Sequence, residues 1–176
     1  LDADGYLDIV FVAIHDELDP YGVPSRVFWG SPEGFSALAS TALPTVGAYG
    51  SAIADLDDDG FLEVVFANHQ ELPDCRAGSY IYWGSADGFA ESARTSLPTG
   101  CSLDVSAADL DGDGFLDLAF SGYGLSGPSS DSEVYWGSAS GFSASATTVL
   151  ALGTTSGYSI ADLDGYGWLA LVFSNP

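Results

Sequence analysis

The chain has 176 residues, and its 47% hydrophobic content favours a folded core and excludes a disordered chain. Its 25 acidic residues outnumber three basic ones, so the net charge is −22 at pH 7 and cations are favoured partners. Nucleic acids and anionic membrane surfaces require basic patches, and no apolar stretch reaches the roughly 18 residues of a membrane helix, so neither nucleic-acid binding nor membrane insertion is expected.

The first recognisable element is the acidic stretch LDADGYLD at residues 1–8, which recurs as DLDDDGFLE at 55–63 and DLDGDGFLD at 109–117. In a complete copy, carboxylates occupy positions 1, 3, 5 and 9, glycine occupies position 6, and an aromatic residue at position 7 offers its carbonyl. The candidate metal ligands are Asp2, Asp4, Tyr6 and Asp8 in the first copy, Asp55, Asp57, Asp59, Phe61 and Glu63 in the second, and Asp109, Asp111, Asp113, Phe115 and Asp117 in the third.

These donors are hard oxygen atoms with the spacing of the first part of an EF-hand loop, so the expected cofactor is Ca²⁺. The alternative is a set of Asp/Gly-rich turns without metal. The first copy lacks its position 1, which would precede Leu1, and we therefore expect the chain to be a piece of a longer protein. A fourth copy, DLDGYGWLA at 162–170, has Tyr166 and Ala170 where carboxylates are needed, so it should be empty or weak.

The acidic stretches belong to a longer unit that repeats about every 54 residues. Each is followed by a short apolar run, and in the first three units this run is followed by RVFWGS, YIYWGS or EVYWGS and then by a Gly-Phe pair. The runs are rich in β-branched and aromatic residues and are bounded by turn residues, which predicts strands. With one strand before each loop and one after each Gly-Phe pair, the pattern predicts an all-β chain of tandem four-stranded antiparallel units, as in the blades of a β-propeller.

The stretch SAIADLDDDGFLEVVFAN together with YIYWGS resembles the FG-GAP repeat of integrin α-subunit propellers and of many secreted bacterial proteins, including the VCBS type. The resemblance covers the whole chain, as repeat 1 at 1–54, repeat 2 at 55–108, repeat 3 at 109–161 and a partial repeat 4 at 162–176. It implies a seven-bladed propeller with calcium in the loop between the first two strands of some blades. About three blades and part of a fourth are too few for such a ring.

Cys75 and Cys101 are the only cysteines in the sequence. In the topology implied by the resemblance, both fall on the end of the propeller opposite the calcium loops. Loops of this kind suit the millimolar calcium of an extracellular setting, and the oxidising conditions of that setting favour a disulfide between the two residues. The alternative is a pair of buried free thiols.

Trp29, Trp83 and Trp136 recur at one position of the repeat. A large aromatic residue repeated at a strand end is typical of packing between units, and this is our interpretation. The alternative is a set of platforms on which sugar rings stack, as in a propeller lectin.

Other patterns are weaker. His15 and His69 lie beside Glu17 and Glu71 in matching loops, but the third unit has no histidine there, so a transition-metal site is not favoured. The stretch GYGLSG at 122–127 fits a dinucleotide-binding pattern yet opens no predicted helix. No G-x-S-x-G motif is present and the loop carboxylates are expected to be engaged by calcium, so we do not expect an enzyme.

The sequence therefore predicts a calcium-binding propeller segment of a secreted or cell-surface protein, acting as an adhesion or ligand-binding module for a protein or glycan. A second hypothesis is a structural protomer that self-associates through its blade edges into an extracellular fibre or oligomer. A lectin is the third hypothesis.

Overall fold

The computed structural model describes residues 1–14, 22–69, 78–123 and 131–174. In these ranges the regular elements are strands, apart from a 3-10 helix at Glu91–Ala93. The strands are β1 (Ile9–Phe11), β2 (Ser25–Phe28), β3 (Ser40–Leu43), β4 (Ala48–Ala54), β5 (Glu63–Asn68), β6 (Ser79–Tyr82), β7 (Thr95–Leu97), β8 (Ser102–Ala108), β9 (Asp117–Gly122), β10 (Ser132–Tyr135), β11 (Thr147–Leu150), β12 (Gly157–Ala161) and β13 (Ala170–Ser174). Over the same ranges, no helix has the length and apolar character that crossing a bilayer requires.

The strands form four antiparallel sheets that follow one another along the chain. The first sheet contains β1 to β3, the second β4 to β7, the third β8 to β11, and the fourth β12 and β13. Within every sheet, strands that are neighbours in sequence are paired. The predicted all-β class is therefore confirmed, and the predicted four antiparallel strands per unit are present in the second and third sheets. Over the described ranges the sheets do not close into a ring.

The second strands of the two central sheets, β5 and β9, are buried along their whole length. In β5, Val64 and Phe66 pack into an apolar cluster with residues of the first sheet. Val65 and Ala67 alternate with them and pack into a second cluster with residues of the third sheet. A strand with apolar residues on both faces is thus covered by a neighbouring sheet on either side, as its continuous apolar sequence predicts.

A buried pair of hydroxyl groups recurs at the end of the sheets away from the acidic loops. In each case the serine that begins β2, β6 or β10 lies 2.8 to 3.0 Å from a threonine in the segment that leads to the next sheet. The pairs are Ser25 with Thr45, Ser79 with Thr99, and Ser132 with Thr155. Because these hydroxyls are buried, their mutual hydrogen bond avoids the cost of unsatisfied polar groups and fixes the chain between sheets.

The repeated tryptophans pack as predicted where their contacts are described. Trp29 of the first unit stacks on Phe89 of the second, with ring centroids 6.1 Å apart. Trp83 packs against the cluster between the second and third sheets, as does Phe142 of the third unit. Each indole N–H is also held within its own unit, by Thr41 for Trp29 at 2.9 Å, for example. The tryptophan of one unit and the Gly-Phe turn of the next thus contribute to sheet packing.

Two of the patterns noted in the sequence fall only partly within the described ranges. Cys101 is buried, and its pairing with Cys75 remains a prediction. The imidazole of His69 is buried between the rings of Tyr49 and Tyr123, with centroids 5.1 Å from each. The following residues lie outside the described ranges: His15, Glu17, Glu71, Cys75 and residues 124–127 of the GYGLSG stretch.

Candidate metal centre

The acidic loops join the first strand of a sheet to the second. Residues 55–62 connect β4 to β5, residues 109–116 connect β8 to β9, and residues 162–169 connect β12 to β13. Position 9 of the two complete loops is the first residue of the following strand, Glu63 in β5 and Asp117 in β9. The three loops therefore occupy equivalent places in three successive sheets.

The carboxylate at position 1 shapes each loop through backbone hydrogen bonds. Asp55 accepts N–H bonds from Asp59 at 3.1 Å and from Gly60 at 3.0 Å. In the third unit, Asp109 accepts the equivalent bond from Gly114 at 3.0 Å. Gly60 and Gly114 have φ values of +90° and +93°, a left-handed conformation that side chains other than glycine rarely adopt. This backbone explains the glycine at position 6.

The folded loops bring three of their four carboxylates together. In each complete loop, oxygen atoms from positions 1, 3 and 9 all lie within 4.8 Å of one another. The two groups are Asp55, Asp57 and Glu63, and Asp109, Asp111 and Asp117. Among the described residues, these are the groups of acidic, histidine or cysteine side chains with metal-binding spacing.

The carboxylates at position 5 have a different role in this structure. Asp59 Oδ1 accepts the N–H of Phe61 at 2.8 Å, and Asp113 Oδ1 accepts the N–H of Phe115 at 2.9 Å. Both side chains lie outside the groups of three. Each side chain therefore supports the turn in the described conformation, and its predicted part in metal binding remains a prediction.

The closing carboxylates are buried and bridge two segments of the chain. Glu63 accepts one N–H bond from Leu56 in its own loop, at 2.6 Å, and another from Gly84, at 3.1 Å. Gly84 belongs to the Trp-Gly-Ser sequence between β6 and β7, which we define as the W-G-S turn. Asp117 makes the same pair of bonds, with Leu110 in its loop and with the glycine of the next W-G-S turn.

Clustering and burial disfavour the ionised form of these acids. Burial raises the pKa of Glu63, although the N–H bonds from Leu56 and Gly84 partly oppose the shift. Burial likewise raises the pKa of Asp117. The pKa of Asp57 is raised by desolvation and then by the negative charge of Asp59. A cation placed among these oxygens would offset both the repulsion between the carboxylates and the cost of burying their charges.

The incomplete first loop keeps the same contacts where it is present. Asp4 Oδ1 accepts the N–H of Tyr6 at 2.8 Å, which is the position-5 contact of the complete loops. Asp8, at position 9, accepts the N–H of Gly30 at 2.8 Å and a bond from the amino group of Leu1. This loop thus has the closing contacts of the others, with Asp2 and Asp4 as its further carboxylates.

The fourth loop keeps its turn but loses its acidic group. Asp162 accepts N–H bonds from Gly165 and Gly167, each at 2.8 Å. The bond from Gly167 is the main cause that lowers the pKa of Asp162. Tyr166 occupies position 5, and Ala170 stands where the closing carboxylate would be. Hydrogen bonds from backbone N–H groups to the carboxylate at position 1 therefore suffice to form the turn. The group of three carboxylates also needs an acidic residue at position 9.

The two complete groups fit calcium on distance and donor type. Calcium binds oxygen at 2.3–2.6 Å, so two oxygens on one ion lie no more than about 5 Å apart. The 4.8 Å limit of both groups falls within that span. All the side-chain donors are carboxylates, the ligands that calcium prefers.

Comparison with protein families agrees with these repeated units. The model of the FG-GAP-like repeat matches residues 1–66 and again residues 55–120. This chain belongs to the FG-GAP-like repeat family. The two matches to the FG-GAP-like repeat begin at residues 1 and 55, in agreement with the period of about 54 residues read from the sequence. No match to the chain was found among curated proteins.

Sequence reasoning missed the glycines of the W-G-S turns as part of this centre. Gly30, Gly84 and Gly137 each donate an N–H to a closing carboxylate. The sequence does contain a signal, since the glycine recurs 20 to 22 residues after each closing carboxylate. Its contact with the loop depends on how strands pair within the sheet, which the repeat pattern does not reveal.

Proposed function

We propose that the acidic loops at 55–63 and 109–117 bind Ca²⁺ and that calcium stabilises a β-propeller segment built from these FG-GAP-like repeats. The observation that carries this proposal is the convergence of three carboxylates within 4.8 Å in each loop. Such a concentration of negative charge is unfavourable without a counter-ion. The first loop binds calcium when a residue before Leu1 supplies its position 1, and more weakly otherwise, whereas the fourth has too few carboxylates to displace the water around the ion.

The sheets in this proposal are propeller blades, with the acidic loops at one end. Successive four-stranded sheets that bury their second strands on both faces support this reading. The segment acts as an adhesion or ligand-binding module of a secreted or cell-surface protein, where calcium is millimolar. Its partner is a protein or glycan, and the charge of −22 favours a partner with a basic surface.

Calorimetric titration of the calcium-free chain with CaCl₂ tests the proposal. We expect two ions in the complete loops, with dissociation constants of about 10⁻⁴ to 10⁻³ M, as in extracellular calcium modules. Titration with MgCl₂ is the control and should give weaker binding, because magnesium needs a smaller octahedral site. A chain that binds no calcium at millimolar concentration would contradict the proposal.

A second candidate function is self-association through the faces of the first and fourth sheets. Phe11 in β1 is 57% exposed and Val172 in β13 is 47% exposed, although the equivalent strands of the central sheets are fully buried. Apolar sheet faces of this kind favour pairing between copies. Light scattering decides between the two functions, because a monodisperse monomer excludes the fibre and regular polymers favour it.

A further inference from the structure

The W-G-S turns dock directly on the acidic loops. In addition to the N–H bond from the turn glycine to the closing carboxylate, the backbone of the turn is in close steric contact with the backbone of the loop. A Cβ added to the turn glycine would lie 2.2 to 2.5 Å from the carbonyl oxygen of the leucine that precedes the closing carboxylate. The three contacts are Gly30 with Leu7, Gly84 with Leu62, and Gly137 with Leu116. Glycine is therefore required here because the turn and the loop touch backbone to backbone.

The same turns take part in packing between sheets. Trp83 immediately precedes Gly84, and Phe89 follows in the segment that joins β6 to β7. Phe89 stacks on Trp29 of the first unit, and Trp83 packs against the cluster between the second and third sheets. A shift of this turn would therefore disturb the contacts of the second sheet with both neighbours.

One carboxylate connects the candidate metal group to this turn. Glu63 holds Gly84 through Oε1 and Leu56 through Oε2, and one of its oxygens lies in the group with Asp55 and Asp57. A carboxylate oxygen has two lone pairs, so it can accept an N–H bond and face a metal ion at the same time. Without a cation, repulsion from Asp57 acts against this position of Glu63.

We propose that Glu63 and Asp117 are positioning residues that couple calcium binding in their loops to the order of the W-G-S turns, and through the turns to the packing between sheets. This inference rests on the proposed calcium function. Calcium holds the closing carboxylate in place, and the carboxylate holds the turn glycine. By thermodynamic linkage, a docked turn also raises the calcium affinity of its loop by the same factor.

Amide hydrogen exchange of the unmodified chain, followed by NMR with and without calcium, tests the first half of the coupling. Calcium should slow exchange at Gly84 and Gly137, by up to about 100-fold at a calcium concentration 100 times the dissociation constant. The amide of Thr99, which bonds Leu97 O at the opposite end of the sheets, is the reference and should change less. Bound calcium with unchanged exchange at Gly84 and Gly137 would overturn the inference alone, whereas no bound calcium would overturn the proposed function as well.

The substitution Gly84→Ala tests the reverse direction without altering a metal ligand. The added Cβ would meet Leu62 O at 2.5 Å and displace the turn. We expect about tenfold weaker calcium binding at the second loop and unchanged binding at the third, measured by calorimetry. Gly157→Ala is the matched control, because its nearest neighbour would be Ser174 Oγ at 3.8 Å. Parental affinity for both ions in Gly84→Ala would overturn the inference, and if this variant fails to fold, the exchange measurement still decides.

Discussion

Trp29 and Phe89 belong to different repeats and stack with their ring planes 17° from parallel. The two residues come from different parts of the repeat, the tryptophan of the W-G-S turn in one unit and the phenylalanine of the Gly-Phe pair in the next. Their contact lies at the junction between the first and second sheets. An aromatic pair of this kind contributes about 0.5–1.5 kcal/mol beyond the apolar area that it buries.

Phe89→Ala should therefore destabilise the chain by about 1–2 kcal/mol, less than a fully buried phenylalanine because Phe89 is half-buried. Phe35 occupies the same position in the first unit, is 51% exposed, and has no stacked ring among the described residues. Phe35→Ala is thus the matched control, with an expected change within about 0.5 kcal/mol. Urea unfolding of both variants measures the difference, and equal losses would show that the stacking adds nothing.

Removal of calcium should lower the melting temperature. An ion present at 100 times its dissociation constant stabilises the folded state by about 2.7 kcal/mol, which corresponds to roughly 5–10 °C for a chain of this size. Differential scanning calorimetry with calcium and with a chelator measures the shift. Sodium chloride at matched ionic strength is the control, because general screening also reduces repulsion among acidic residues. An equal rise in salt alone would assign the effect to screening.

Substitution of a single carboxylate should have different effects in the third loop, which we expect to bind an ion, and in the fourth loop, which we expect to be empty. Asp111→Ala removes one of three clustered carboxylates, so the chain should lose one bound ion and the third unit should be destabilised. Asp164→Ala alters a loop in which Ala170 has replaced the closing carboxylate, and the number of bound ions should not change. Calorimetric titration counts the ions in both variants. An ion lost with Asp164→Ala, or none lost with Asp111→Ala, would contradict the assignment.

The two cysteines should form an intrachain disulfide. A Cys75–Cys101 bond would close about 26 residues and stabilise the folded chain by roughly 3 to 4 kcal/mol on the chain-entropy model. Mass spectrometry after alkylation, with and without prior reduction, gives the answer. Two alkylated thiols in the denatured but unreduced chain would contradict the prediction, and denaturation is needed because Cys101 is buried.

The sequence predicts features that lie within one repeat better than those that join repeats. Runs rich in β-branched and aromatic residues, bounded by turn residues, were sufficient for the strands, and the carboxylate spacing was sufficient for the acidic loops, because both depend on residues close together in the chain. The hydroxyl pair of Ser79 and Thr99 and the stacking of Trp29 on Phe89 join residues 20 or more positions apart. Such contacts depend on the way strands pair and sheets pack, so the repeat pattern marks the residues without naming their partners.

The candidate site shows the same limit at the level of single side chains. The spacing predicts four equivalent carboxylates per loop, yet the structure groups positions 1, 3 and 9 and turns Asp59 and Asp113 toward the backbone. Side-chain rotamers and burial decide this difference, and neither follows from spacing. Burial of Glu63 and Asp117 arises only once the W-G-S turn covers them.

The partly buried carboxylate of Asp104, in β8, should make the stability of the folded chain depend on pH. Asp104 is not one of the candidate metal ligands. Its carboxylate lies against Gly50 of the neighbouring sheet, and burial raises its pKa, although the N–H of Val105 partly opposes this shift. The folded state then holds the proton more tightly than the unfolded state. The contribution of Asp104 to stability is therefore fully present below its pKa in the unfolded chain, and it is lost as the pH rises through its pKa in the folded chain.

Asp104→Asn removes this ionisation while keeping a similar shape. The variant should therefore gain stability relative to the parent near pH 7, and the gain should shrink as the pH falls, because the folded parent takes up a proton at a higher pH than the unfolded chain does. Asp87→Asn is the control, since Asp87 is an exposed carboxylate whose removal should alter stability little at either pH. Thermal unfolding without calcium at pH 4, 5.5 and 7 provides the measurement. A stability difference between Asp104→Asn and the parent that does not change with pH would mean that the burial of Asp104 has no consequence for its charge.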